Sequence, residues 1–456
     1  MSSPVNAAVA SPMPAWGKTA LLVGLLFIGC WGAAILYWRI TDRMPTAGEL
    51  AFCLVGAPLL VTSGVWLSRR MLEQRATPSP ASAPVAASAA GDRGLLILDS
   101  ALRLPCGSSA EEVYAAIRSN KARPDLDREL LDDDGFPVMT ARCALADDES
   151  LRDEIAEWMA ANGLANAEFI DEHWRALVLA TQVVDDLASA IGTKTQTLHL
   201  QAIAPEDWTC VQRRAAGAWM VNVIIQTGWP ADRITQGSEA TGSERLAEIL
   251  NRLAVSGETA VLTMVVAFAS NVGDQTVARW SEDRTLFTSS NSNGRIPGEG
   301  AAGLLVSDLL HAPEQTALPH AVLHQVEEDR RDTAADNLRN TDSKLLTDLA
   351  VRAIDRAQLK ATELAAIVSD TGHRPNRVLE MMALASAISS ELDTSEDVIR
   401  TGAACCDCSA VPSLAAVILA QHCACKQQKP IAWASNEDAM WRAVAIVRPE
   451  VVQSSE

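Results

Sequence analysis

Two stretches near the start of the chain carry no charged residue, Thr19 to Trp38 (TALLVGLLFIGCWGAAILYW) and Ala51 to Leu67. At a rise of about 1.5 Å per residue the first matches the ~30 Å hydrocarbon core of a bilayer. The second holds Gly56, Pro58 and Gly64 but still falls within the roughly 17 to 25 residues that can span it. The pattern predicts an N-terminal tail over 1–18 and a two-helix membrane hairpin over 19–67. A secretory signal peptide is disfavoured, because no small-residue cleavage site separates the runs. Lys18, Arg69, Arg70 and Arg75 flank the outer ends and the connecting loop has only Arg39 and Arg43, so the excess of basic residues places both ends in the cytoplasm.

Residues 68–92 lose the apolar pattern and become rich in proline, alanine and serine (TPSPASAPVAASAAG), which reads as a semi-rigid linker. Beyond it, strands and helices alternate. The periodicity predicts a strand over 95–104 and a helix over 108–119, with Ser109 as cap and Glu111 and Glu112 at its positive end. Helices follow over 149–162 and 168–190, a strand over 197–204, a helix over 206–227, a helix over 243–255 and a strand over 259–269. Strands over 301–307 and 321–328, a helix over 344–357, a strand over 364–369 and helices over 377–390 and 413–421 come next, then a closing strand pair at 431–434 and 443–447. Such alternation predicts a layered α/β fold. The expected plan is an N-terminal α/β part over 93–190, a second α/β domain over 191–449 and a C-terminal tail over 450–456.

Composition narrows the function. Hydrophobic residues at 48% with charged residues at 21% exclude a disordered chain, and 38 Lys+Arg against 57 Asp+Glu, a net charge of −19, argue against a nucleic-acid partner. Cys30 and Cys53 lie in the apolar runs, and the other cysteines show no spaced framework of a secreted domain, which suits a reducing compartment.

The segment Gly294-Arg295-Ile296-Pro297-Gly298-Glu299-Gly300-Ala301-Ala302 resembles the Pro-Gly-Glu-Gly-Ala-Ala segment of the β-ketoacyl synthases, which have a thiolase-like fold. Three further stretches fall in the order of that fold: Ile367 to Glu380, Gly402-Ala403-Ala404 into the helix over 413–421, and the strand pair ending at Arg448-Pro449. The resemblance covers roughly 195–449. It implies a nucleophile within Ala240-Thr241-Gly242-Ser243, where no cysteine stands, a first histidine at Ser369, eleven residues before Glu380, and a second at Asp407 or its neighbour. The substitutions imply a degenerate member with no catalytic residue. With the hairpin, the linker and the stretch from Arg123 to Val138, the chain is similar to a proteobacterial family of type VI secretion lipase adapters.

That resemblance implies a non-enzymatic adapter of the bacterial inner membrane, multi-pass through residues 19–67, with its α/β domain cytoplasmic. The implied partners are a lipase-type effector and the spike protein of the secretion system; no cofactor and no nucleic acid are implied. The alternative is an active acyltransferase or condensing enzyme of the same fold that uses a relocated cysteine, Cys210 or Cys406.

Other candidate chemistry is weaker. With Gly135 at the turn of a calcium loop the first and last ligands would be Leu130 and Ala141, so the acidic run from Asp125 to Asp134 reads as a solvated turn. Cys405, Cys406 and Cys408 would sit about 15 Å from Cys423 and Cys425 across the intervening helix, which favours small buried hydrophobes over a metal site. His373 reads as a polar turn residue, and His422 as a helix C-terminal residue favoured by the dipole. No Gly-x-Ser-x-Gly elbow and no phosphate-binding Gly-x-x-x-x-Gly-Lys-Ser/Thr loop occur. Of the tryptophans from Trp158 onward, most are expected in the core, with one or two free to anchor a partner.

Overall fold

The structure is a computed structural model that describes residues 94–192, 194–237, 244–255, 261–308, 320–337 and 341–450. The hairpin expected over 19–67 and the linker lie outside the described residues. Among the described residues, no helix is long and apolar enough to cross a membrane.

The elements are, in chain order, β1 (Gly94–Arg103), α1 (Ala110–Arg118), β2 (Asp125–Leu131), β3 (Pro137–Thr140), α2 (Glu149–Ala161), α3 (Asp171–Ala190), β4 (Thr197–Ile203), α4 (Cys210–Gln226), β5 (Ile234–Gln236), α5 (Leu246–Leu253), β6 (Val261–Ser270) and α6 (Asp274–Glu282). There follow β7 (Glu299–Asp308), β8 (Ala321–His324), β9 (Glu327–Arg330), α7 (Lys344–Arg356), β10 (Ala366–Ser369), α8 (Pro375–Ile388), β11 (Val398–Arg400), α9 (Gly402–Cys405), α10 (Val411–Gln427), β12 (Ile431–Ser435) and β13 (Trp441–Pro449).

One mixed sheet runs in the order β11-β10-β12-β13-β8-β1-β7-β6-β4-β5, with β9 paired to β13. Because β1 pairs with β7 and β8, residues before and after 190 share that sheet. Its central strands, such as β7 and β10, are buried on both faces, which is why they read as near-continuous apolar runs. Along β1, Leu95 and Ile97 join one core while Leu96 and Leu98 join another. Along β13, Ala443, Ala445 and Val447 join the first core, and Val444 and Ile446 a third. The first core is filled by α10 and α5, the second by α3 and α4, the third by α7 and α8. Helices therefore lie outside, sheet within, and helices again at the centre. Central α10 is apolar nearly all round, as burial on every side demands.

Three local expectations are corrected. The strand over 321–328 divides into β8 and β9, and the helix over 413–421 extends to α10, whose later turns bury Cys423 and Ala424. The acidic run is more than a turn. Asp127 is buried and accepts hydrogen bonds from Thr140 Oγ1 (2.8 Å) and Arg142 Nε (2.9 Å), which pairs its charge and lets β2 and β3 form a hairpin. Only Asp132 to Phe136 remain as turn, where the Asp132 side chain accepts from the backbone of Asp134 and Phe136.

Candidate active site

Strands β4 and β6 run parallel, as do β10, β11 and β12. Chain leaving the carboxyl ends of such strands opens a crevice at which side chains from distant segments meet. Here that crevice is a cavity of about 730 Å³, lined among others by Pro205 after β4, Asn271 after β6, His373 after β10, Cys406 after β11 and Glu437 after β12.

The loop between α9 and α10 forms one wall and is held by the glycine-rich segment. Asp407 N donates to Ile296 O (3.0 Å), Gly298 N donates to Asp407 O (3.2 Å), and Asn271 Nδ2 donates to the same carbonyl (2.6 Å). A Cβ on Gly298 would stand 1.9 Å from the Cys405 carbonyl oxygen, and one on Gly402 would stand 2.0 Å from that of Asp370, so both close approaches demand glycine. Arg295 grips Asp407 with two hydrogen bonds, Nε to Oδ2 at 2.5 Å and Nη2 to Oδ1 at 2.9 Å, while its guanidinium lies 3.9 Å from the centre of the Trp280 ring.

Cys406 between these anchors has φ 53° and ψ −145°, a left-handed conformation that few side-chain-bearing residues adopt. Burial pushes its thiol well above the usual range, and Cys405, Asp407 and Glu437 add to the effect, so the sulfur is protonated at neutral pH.

Opposite lies a group of carboxyls. Asp370 accepts from the Ser435 hydroxyl, from Asn436 N (2.8 Å) and from Glu437 N (3.3 Å), and burial raises its pKa. Glu437 accepts from Gly372 N (2.8 Å), and Arg374 stands 3.6 Å away. Burial pushes the Glu437 carboxyl up to about 7, so it can take up or release a proton near neutrality. His373 is half-buried and stands edge-on to Phe287, and its Nε2 makes no hydrogen bond. Burial, with Arg374 beside it, holds the imidazole neutral.

The residues singled out from sequence separate accordingly. Ala240 to Ser243 lie outside the described residues, although Glu244, Arg245 and Leu246 just after them line the cavity. Ser369 is fully buried and donates to Thr371 Oγ1 (2.9 Å), which in turn donates to Asn436 Oδ1 (2.6 Å). Asp407 serves the Arg295 pair. His373 is more than a turn residue, since it lines the cavity. Cys210 opens α4 in an exposed position, 3.7 Å from an Arg213 nitrogen, and is not among the lining residues. Cys408 Sγ donates to the Cys405 carbonyl (3.3 Å), and Cys425 Sγ to that of His320 (3.7 Å). His422 Nε2 stands 3.1 Å from Glu111 Oε2. Trp208, Trp219, Trp229, Trp280 and Trp433 are core residues. Sequence reasoning missed Glu437 and Arg295; the acid in the turn between the closing strands was the only signal for the first.

No protein-family model matches the chain, and no curated protein does. Solved structures do. A ketosynthase from module 6 of the bacillaene synthase of Bacillus subtilis 168 is 12% identical, with 78% of this chain and 72% of that one covered at a TM-score of 0.54. An oxazolomycin ketosynthase domain of Streptomyces albus JA3453 is 11% identical over 80% and 76% of the two chains, TM-score 0.54. The ishigamide ketosynthase/chain length factor is 18% identical over 78% of this chain and all of that one, TM-score 0.53. The fold is thus the thiolase-like fold of ketosynthases. These likenesses overturn the expectation of a protein that is not an enzyme, because the shared scaffold is that of condensing enzymes. That expectation rested on the family positions at 240–243, 369 and 407; Cys406, a relocated cysteine of the alternative reading, lines the cavity beside Asp407.

Proposed function

We propose that the chain is an acyl-handling enzyme of the condensing type, which takes an acyl group from a thioester onto Cys406. The observation that carries this is the cysteine's place, on the wall of the cavity and in a backbone conformation that costs roughly 1–3 kcal/mol and clusters at active sites. Its thiol is protonated at rest and needs a base. Glu437 and His373 share the cavity and are our candidates for that base. In the exchange the Cys406 sulfur bonds to the acyl carbon, the thioester C–S bond breaks, and the thiol proton passes by way of the base to the leaving sulfur. The cavity has room for an acyl chain of moderate size.

The test is incubation of the full-length chain with acyl thioesters of N-acetylcysteamine, followed by intact-mass and peptide mapping. An acyl adduct on Cys406 that is absent from C406S is the expected result. An adduct on Cys210 would move the reaction to the other relocated cysteine, and no adduct would remove the reading. Delivery of a lipase-type effector to a spike protein remains a separate proposal that rests on the sequence resemblance; co-purification of such an effector with the full-length chain from its native host is its test.

A further inference from the structure

The β2–β3 hairpin has two faces of unlike character. Its inner face packs Leu130 and Val138 against Val272, Val277, Trp280 and Leu286, so the hairpin is fastened to α6 and the chain around it. The outer side leaves Leu126 58% exposed, Leu131 52% and, at the turn, Phe136 66%. Leu126 pairs with Met139 and Leu131 with Pro137, and Phe136 stands at the turn next to that last pair. Single exposed apolar residues are ordinary, but three large ones on one short hairpin form a patch that water penalises. Asp125, Asp133 and Asp134 are exposed around it against Arg123 and Arg128, while Asp127 and Glu129 both pair with Arg142 and add little to the outer charge.

We propose that this outer face docks a segment of a partner protein in which leucine-like side chains alternate with lysines and arginines. The apolar trio supplies the area and desolvation that anchor a partner, and the acidic rim selects a cationic one and repels acidic segments. The inference stands apart from the acyl-transfer reading and uses none of its residues.

A synthetic amphipathic leucine/lysine peptide and its leucine/glutamate counterpart are the probes, titrated against the full-length chain and followed by fluorescence anisotropy and amide hydrogen exchange. The lysine peptide should bind, slow exchange across residues 125–140, and lose about tenfold in affinity in L126S/L131S/F136S. D133N/D134N should lose about threefold and show a weaker salt dependence. An unchanged melting temperature shows that the exposed-site variants are folded. Equal binding of the glutamate peptide, unaltered binding by the triple variant, or protection confined to other segments would overturn the proposal. Self-association that the triple variant abolishes would also overturn it, by making the occupant a second copy of this chain.

Discussion

Glu299 and Glu437 are both carboxylates drawn from solvent near the same cavity, yet the fold treats them oppositely. Glu299 is fully buried and meets four donors: Cys143 N and Arg175 Nη2 at 2.6 Å, Arg175 Nε and the Ser270 hydroxyl at 2.8 Å. It ties α3 to β6, β7 and the chain after β3, and every lone pair of use is occupied. Glu437 has one backbone donor, a cation at 3.6 Å, and a side chain 32% exposed to the cavity. A saturated carboxylate fastens; an unsaturated one keeps a proton in play. The glutamate inside the recognisable Pro-Gly-Glu-Gly segment is therefore structural, and the one outside any motif is the chemical candidate.

The sharpest way to break this contrast is E299A. It strands Arg175, itself buried, with the more exposed Asp147 and the neutral Cys143 carbonyl as its remaining partners, and should cost roughly 3–5 kcal/mol in a denaturant titration. E299Q keeps the shape and should cost less than the alanine. A loss below about 1 kcal/mol for E299A would show that the four donors are readily satisfied by water, and the contrast would fail.

A smaller effect sharpens the other half. The folded pKa of Glu437 lies at about 7, above its ordinary value of 4.5, so the folded state holds the proton more tightly than the unfolded one. Its contribution to stability is complete below about pH 4.5 and is lost as pH rises through 7. Since the side chain is about a third exposed, solvent screens part of this, and a change of about 1–2 kcal/mol is expected in place of the full value of the shift. Denaturant midpoints of wild type and E437Q measured from pH 4 to 9 check the sign. Wild type should lose stability relative to E437Q as pH rises, and parallel profiles would show that this carboxyl does not titrate differently on folding.

What could be read in the sequence follows from where each signal resides. The helix at Ala110–Arg118 was legible because its cap, Ser109, and its acidic first turn are local, and the Ser109 hydroxyl does accept from Glu112 N. The buried strands were legible because long apolar runs have few other fates. β5 and β11, of three residues each, lack the length to show a period. The β2–β3 hairpin was hidden by its charges, because only tertiary contact with Arg142 reveals that Asp127 faces inward. The end of α10 was lost at Gln421-His422, polar residues that interrupt the apolar run although the helix continues to Gln427. At the site, Ser369, His373 and Asp407 came from order along the chain. Glu437 and Arg295 act through partners far away in sequence, and the only local mark of either is the acid in the turn between the closing strands.

The smallest expected effect concerns how Cys406 is held. Arg295 spans from Trp280 to Asp407, so it joins the core beneath the β2–β3 hairpin to the residue that follows Cys406. Lysine can supply the charge but neither the two-pronged pair nor the flat stacking surface. Because the side chains are 38% and 28% exposed, R295K should cost only about 0.5–1 kcal/mol in stability. Its effect on the rate of acyl transfer to Cys406 should be disproportionate, about fivefold or more, because the loop is displaced without being unfolded. A double-mutant cycle with D407N separates the two contributions: a coupling energy near 1 kcal/mol in both stability and rate assigns the effect to the ion pair. Additive behaviour would instead assign it to the contact between Arg295 and Trp280. The Cys406 loop would then be positioned by the glycine-rich segment alone, and the contrast between fastening and chemical residues would have to be drawn without Arg295.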